Sequence, residues 1–167
     1  KSVLSALMDT GSQVIDLSQN HPTYSEDPDL ARSMRQLAKW SDVQSLLHYA
    51  PSGGLARHLD AGAQWFSDLG LTVEPSNLIV TAGAQHALSI ILAAVTSPGE
   101  AVVTEAYTYP GLKTVAETLG IDLIPASSDE NGLVPDSIRT IGRKRRIRAL
   151  YCNPTLQNPG GTTMPES

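Results

Sequence analysis

The stretch NLIVTAGAQHALSIILAAVTSPGEAVVTE, Asn77–Glu105, decides the fold. It opens on an apolar run, Leu78–Thr81, that predicts a strand, and continues with helical spacing of apolar residues over Ala84–Val95. A small turn at Gly83 joins the two, and a Ser-Pro-Gly sequence precedes the β-branched run Ala101–Glu105, which predicts a second strand. The stretch therefore predicts a strand–helix–strand unit.

The same alternation continues along the chain. Apolar spacing predicts helices at 28–39, 52–70, 111–120 and 135–142, and strands at 121–126 and 147–152. Helical crossovers return the chain to the same end of the sheet, so the strands pair in parallel and helices cover both faces. The predicted fold class is α/β, a three-layer α/β/α arrangement with a mainly parallel sheet.

Composition limits the possible functions. The 167 residues are 41% hydrophobic and 17% charged, which is typical of a globular chain with a core. A net charge of -5 argues against non-specific affinity for nucleic acid or membranes over the whole chain. The lone Cys152 cannot form an intrachain disulfide, and no apolar run is long enough to span a bilayer, so the cytoplasm is the expected compartment.

One basic run stands out against this acidic background. Residues Arg143–Arg148, RKRRIR, hold five of the 12 Lys and Arg residues. The run is either a DNA-binding patch or a solvated turn between a helix and the strand that begins at Ile147. The second interpretation is favoured.

Three loops are predicted to meet where the parallel strands end, which is where ligands bind in open α/β sheets. The first contains Gly83, which allows close backbone approach, and the N–H groups of the following helical turn form an anion site that suits a phosphate. An ordinary strand-to-helix turn is the alternative, and His86 is interpreted as a surface or packing histidine.

The other two loops carry flat rings and amides. Tyr107 and Tyr109 can offer a stacking face, or the Tyr-Pro pair can be a rigid turn with its ring on the core. In Cys152–Gly161, two Asn-Pro pairs form turns, and their amides can donate to a ring hydroxyl or oxyanion. A phosphate seat, a ring platform and amide donors together suit a planar phosphorylated cofactor; a nucleotide-binding α/β domain is the alternative.

Five segments carry a resemblance to a known family: YAPSGGLARHLDAGAQWF, VTAGAQHALSIIL, TEAYTYPGLK, DENGLVPDSI and LYCNPTLQNPGG. From about Asp16 onward the chain resembles the large domain of class I/II aminotransferases of PLP fold type I. The wording GAQHAL, TYPG and LQNP is similar to the aminotransferase-like domain of MocR-type regulators, a branch of the GntR transcription factors.

The resemblance assigns cofactor-binding residues for pyridoxal 5'-phosphate. It implies that Gly83, Ala84 and Gln85 hold the phosphate, that Tyr109 stacks on the pyridine ring, and that Asn158 donates to the phenolic oxygen. Many relatives have Thr at the position of Gly160, so this chain departs from the family pattern there.

The resemblance also assigns residues at the edges of the site. Tyr49 matches a tyrosine that reaches the phosphate bound by the neighbouring subunit, which implies a homodimer. Asn20, in IDLSQNHP, falls on the substrate side. Residues 1–45 are expected to lead into the domain, and residues 46–167 to form part of the PLP-binding large domain.

No catalytic residue is assigned in this chain. In the family the lysine that bonds to the cofactor lies in an S-x-x-K-like motif downstream. The four lysines lie in other contexts and are predicted to be surface residues: Lys1, Lys39, Lys113 and Lys144. The chain alone is therefore expected not to transaminate, and no metal ligands are expected.

Two functions follow from the resemblance. In the first, the chain is part of the PLP-binding effector domain of a MocR/GntR-type regulator that reads DNA through a separate N-terminal winged helix-turn-helix and responds to an amino acid or 2-oxo acid. In the alternative, it is part of a working aminotransferase that moves an amino group between an amino acid and a 2-oxo acid. Both are expected to be cytoplasmic homodimers without membrane attachment.

Overall fold

The computed structural model describes residues 28–166, which fall into two compact units divided between Tyr49 and Ala50. The first unit contains helix α1 (Pro28–Ala38), which confirms the helix predicted there, and a 3-10 helix at Val43–Leu47. In the described part of the chain, no helix combines the length and apolar character that crossing a membrane requires.

The second unit alternates helices and strands as predicted. Its elements are α2 (Ala56–Asp68), a 3-10 helix (Pro75–Asn77), α3 (Ala84–Val95), β1 (Ala101–Glu105), α4 (Pro110–Leu119), β2 (Asp122–Ala126), β3 (Ser128–Asp129), β4 (Gly132–Leu133), α5 (Pro135–Lys144) and β5 (Ile147–Tyr151). The short antiparallel hairpin of β3 and β4 was not predicted from the sequence.

The three longer strands form one parallel sheet in the order β2-β1-β5. All five residues of β1 are buried, as expected for a central strand that is covered on both faces. Glu105 at the end of β1 lies opposite Ala126 of β2, and Thr104 lies opposite Tyr151 of β5. All three carboxyl ends therefore share one edge of the sheet.

The strand predicted at Leu78–Thr81 is wrong. The segment runs between a 3-10 helix and α3 without joining a sheet. Its β-branched residues favour extended backbone, but a strand also needs a neighbouring strand, and none of the strands in residues 28–166 pairs with this segment. The Val80 N–H instead donates to the Gly53 carbonyl at 2.7 Å, and the Ile79 side chain is 66% exposed.

The core lies between the sheet and two helices. Leu92 of α3 packs with Val102 of β1 and with the buried side of α4, which contributes Leu112, Val115 and Ala116. Because α3 and α4 both pack on this core, their amino-terminal ends are fixed relative to the sheet edge.

The basic run lies at the opposite, amino-terminal edge of the sheet. Arg145 forms an ion pair with Asp122 at the start of β2 and donates to the Gly99 carbonyl at 2.8 Å. Arg148 lies 3.7 Å from the Glu100 carboxylate. Both arginines are exposed and bound to the chain itself, which favours the solvated turn over a DNA-binding patch.

Truncation of Leu112, whose side chain is 0% exposed, tests this account of the core. We expect Leu112→Ala to lower the free energy of unfolding by about 3 kcal/mol, since it removes buried carbon atoms and leaves a cavity. Leu71→Ala, at a side chain that is 56% exposed, is the matched control. Chemical denaturation of both variants measures the difference, and equal losses would contradict the assignment of the core.

Candidate functional site

The amino-terminal end of α3 faces the carboxyl edge with unpaired donors. Gly83 precedes the helix with φ +88°, a backbone conformation that side chains disfavour, although an added Cβ would meet nothing within 4 Å. The first helical hydrogen bond runs from the Ala87 N–H to the Gly83 carbonyl at 3.1 Å. The preceding N–H groups, of Ala84, Gln85 and His86, therefore have no partner in the helix and can bind an anion.

The turn before α3 is held by side chains of the same motif. The Ala82 N–H donates to Nδ1 of His86 at 3.1 Å, and the Thr81 hydroxyl donates to the Gly83 carbonyl at 3.2 Å. Because Nδ1 of His86 accepts a hydrogen bond, its proton is on Nε2 in the neutral ring. This histidine, interpreted from the sequence as a surface or packing residue, closes the turn that presents Gly83.

Gln85 joins the first loop to the second. Its Nε2 donates to the Gly111 carbonyl at 3.0 Å, while its Oε1 is buried without a partner in the described part of the chain. A Cβ on Gly111 would collide with the Gln85 amide and with the ring of Tyr109. The side-chain amide of Gln85 is therefore hydrogen-bonded to the first turn of α4. Its backbone N–H is the group that remains available to bind an anion.

Tyr109 lies at the start of α4 with its ring over Gly111. Its side chain is 38% exposed and lines a cavity of 370 Å³ together with Ala84 and Ala87 of α3 and Tyr151 of β5. Ala84 of the predicted phosphate seat and Tyr109 of the predicted ring platform thus line one cavity, whose other walls are mainly apolar and extend along α3 to Val95. Tyr107 is 77% exposed and lines a different cavity.

The third loop, residues 152–161, is tied to the second by hydrogen bonds. The Asn153 N–H donates to Oε1 of Glu105 at 3.2 Å, and Nε2 of Gln157 donates to the Tyr107 carbonyl at 2.7 Å. Asn158 is half-buried, and its side-chain amide makes no hydrogen bond within residues 28–166. The amide is therefore available to a ligand at this edge.

Glu105 is a feature that the sequence reasoning missed. Its side chain is 4% exposed, and Oε2 has no hydrogen-bond partner in the part of the chain that the structure describes. Burial raises the pKa of both Tyr151 and Cys152, and the negative charge of Glu105 raises the pKa of each further. An acidic residue at the end of an otherwise uncharged strand, AVVTE, was the signal that could have identified it.

The other predicted site residues fall outside the second unit in sequence. Tyr49 ends the first unit with a fully exposed side chain, and Asn20 lies outside the described residues. The three lysines that the structure describes, Lys39, Lys113 and Lys144, are exposed, as predicted. Within residues 28–166, no group of three or more His, Cys, Asp or Glu side chains could hold a metal ion.

The fold and this edge define a class of protein: an α/β domain with a helix amino terminus, an aromatic ring and an amide around the ends of parallel strands. Residues 12–167 match the family model described as aminotransferase class I and II. The chain belongs to this family, and the predicted α/β fold of its large domain is confirmed.

Individual relatives include both regulators and enzymes. YdeF of Bacillus subtilis (strain 168), an uncharacterized HTH-type transcriptional regulator, is 24% identical over 89% of this chain and 32% of YdeF. The HTH-type pyridoxine biosynthesis transcriptional regulator PdxR of Corynebacterium glutamicum is 34% identical over 70% of this chain and 25% of PdxR. The chain thus spans a quarter to a third of the length of these curated relatives.

Among solved structures, the chain is similar to LysN, the alpha-aminoadipate aminotransferase of Thermus thermophilus, in a complex with N-(5'-phosphopyridoxyl)-L-leucine. The TM-score is 0.67 and the sequence identity 27%, over 81% of this chain and 33% of LysN. The chain is therefore similar to an enzyme, LysN, as well as to the two regulators YdeF and PdxR.

The reactivity of Cys152 tests the electrostatics of the site. Because burial and Glu105 raise its pKa, less thiolate is present at neutral pH, and we expect alkylation of Cys152 by iodoacetamide to be slower in the folded protein than in the protein unfolded by urea. Glu105→Gln removes the charge and should lower the pKa, so that the rate rises and the pH profile shifts to lower pH.

Mass spectrometry of the peptide that contains Cys152, sampled over time between pH 7 and 10, measures the rate. Glu100→Gln, which removes a carboxylate at the other edge of the sheet, is the matched control and should leave the profile unchanged. An unchanged profile in Glu105→Gln would contradict the effect of the Glu105 charge.

Proposed function

We propose that this chain binds pyridoxal 5'-phosphate at the carboxyl edge of its sheet. The hydrogen bond from Gln85 in the first turn of α3 to the Gly111 carbonyl beside the Tyr109 ring carries this proposal, since it brings anion donors and an aromatic ring together. The likeness to LysN, whose structure contains a phosphopyridoxyl ligand, supports it. When bound, the cofactor supplies an electron sink for the chemistry of amino compounds.

Each group at the edge has a distinct role in this proposal. The backbone N–H groups of Ala84 and Gln85 bind the phosphate at the positive end of α3, and Gly83 gives it close access to the backbone. Tyr109 stacks on the pyridine ring, and the free amide of Asn158 donates to the phenolic oxygen. The site so formed belongs to a domain that includes residues 46–167.

We further propose that the chain is part of the effector domain of a MocR/GntR-type transcriptional regulator. The likeness to two HTH-type regulators, over 89% and 70% of the chain, supports this function. A separate N-terminal winged helix-turn-helix reads DNA, and an amino acid or 2-oxo acid on the Asn20 side shifts a conformational equilibrium that changes operator affinity. The protein acts as a cytoplasmic homodimer in which Tyr49 reaches the partner's phosphate.

The regulatory function is tested with the full-length protein and the DNA upstream of its own gene. We expect saturating pyridoxal 5'-phosphate, with or without single amino acids, to change the apparent Kd for this DNA by about fivefold or more, the range of typical allosteric coupling. Gel-shift titration measures the affinity, and a scrambled DNA of equal length is the control. Specific DNA binding that no ligand changes, or rapid transamination without DNA binding, would contradict the proposal.

The cofactor site is tested by two substitutions on different loops. We expect Tyr109→Ala and Asn158→Ala each to weaken binding of pyridoxal 5'-phosphate by about tenfold, because each removes one stacking or hydrogen-bonding contact. Trp65→Ala is the matched control, since it removes an exposed aromatic ring from α2. Absorbance titration of the full-length variants measures the affinity, and wild-type binding in both would show the loop assignments to be wrong.

A further inference from the structure

The side chain of Gln157 is held by three hydrogen bonds that use both ends of its amide. Nε2 donates to the Tyr107 carbonyl at 2.7 Å and to the Asn158 carbonyl at 3.1 Å, and Oε1 accepts from the Gly160 N–H at 2.7 Å. Two of these bonds lie within its own loop. The bond to the Tyr107 carbonyl joins residues 50 positions apart in sequence and reaches the loop that follows β1.

The backbone of Gln157 is bonded as well. Its N–H donates to the Thr162 carbonyl at 2.8 Å, and its carbonyl accepts from the Gly161 N–H at 2.5 Å. These two bonds fold the loop into a compact turn around the half-buried side chain. The side-chain amide that bonds to the Tyr107 carbonyl therefore belongs to this compact turn and moves with the turn.

We propose that Gln157 is a positioning residue that sets the distance between Asn158 and the loop that carries Tyr109. This inference rests on the proposed function, in which Asn158 and Tyr109 bind two parts of one cofactor ring. Gln157 adjoins Asn158 in sequence and holds the carbonyl two residues before Tyr109. It controls the spacing of the two binding groups without contact to the ring.

The hydrogen bonds specify a glutamine amide in one orientation. Two carbonyl oxygens face its nitrogen and one N–H faces its oxygen. A carboxylate at the same position would keep the bond to Gly160 but would place negative charge against both carbonyls. Gln157→Glu therefore breaks the bonds to the Tyr107 and Asn158 carbonyls and preserves the bond from the Gly160 N–H.

Substitution of Gly160 is an independent way to displace the side-chain amide of Gln157. A Cβ at this position would lie 2.7 Å from Oε1 of Gln157, closer than real Cβ atoms come. The φ of Gly160 is outside the left-handed region, so alanine fits the backbone and the steric effect falls on Gln157. The missing side chain of Gly160 leaves the space that the Gln157 oxygen occupies.

The experiment measures the Kd of pyridoxal 5'-phosphate by absorbance titration of the full-length protein. Gln157→Ala, Gln157→Glu and Gly160→Ala should each weaken binding by about tenfold, the effect of one hydrogen bond to a ligand group. Thr163→Ala is the matched control, because it removes the hydroxyl just after this loop that accepts from the Leu156 N–H and leaves the Tyr107 contact intact. Its Kd should stay within about twofold of the wild type.

A double variant of Gln157 and Asn158 distinguishes a positioning role of Gln157 from an effect on the stability of the domain. If Gln157 acts through Asn158, the double variant Gln157→Ala/Asn158→Ala binds no more weakly than Asn158→Ala alone. Amide hydrogen exchange should accelerate at Gly160 and Gly161 in Gln157→Ala while the β1 amides stay protected. A loss of protection in β1 would show that the substitution acts by unfolding the domain and would overturn the inference.

The outcomes distinguish this inference from the function on which it rests. If the wild-type protein binds no pyridoxal 5'-phosphate, both fail. If Asn158→Ala binds it normally, the role of Asn158 and the positioning role of Gln157 fail, and binding of the cofactor at this edge stands. If Asn158→Ala weakens binding but Gln157→Ala does not, or if the two effects add in the double variant, the positioning role alone is wrong.

Discussion

The pairing of one buried strand with parallel neighbours on both sides is the constraint on which the structure depends. β1 has no exposed residue, and its two edges are taken by β2 and β5. Because both neighbours run in its direction, every loop that follows a strand leaves from the same edge. Leu78–Thr81 pairs with none of these three strands, so that apolar segment is extended without being a strand.

Parallel pairing brings the loops to one edge, but hydrogen bonds between side chains and backbone fix their distances. Gln85 joins the α3 terminus to Gly111, Glu105 accepts from Asn153, and Gln157 reaches the Tyr107 carbonyl. Each bond links segments far apart in sequence. The edge is thus a network in which polar side chains of the motifs hold the backbone, and the backbone N–H groups and remaining side chains are left for a ligand.

Two edges of the sheet carry different electrostatics. At the amino edge, arginines form ion pairs with Asp122 and Glu100 in solvent, where such pairs contribute at most about 1 kcal/mol each. At the carboxyl edge, burial raises the pKa of both Tyr151 and Cys152, and the buried Glu105 carboxylate beside them raises it further. The exposed charges stabilise the turn that begins β5, whereas the buried charge disfavours a second negative charge at this edge.

The sequence by itself determined the α/β class, the order of most helices and strands, and the three loops that carry the proposed site. These follow from local periodicity and from turn residues such as Gly83, whose effects act within a few positions of the chain. It did not determine the partners of Gln85, Gln157 and Glu105, nor the failure of Leu78–Thr81 to form a strand. Those depend on which segments become neighbours after folding, because a hydrogen bond or a strand pair needs a second group that only the tertiary structure supplies.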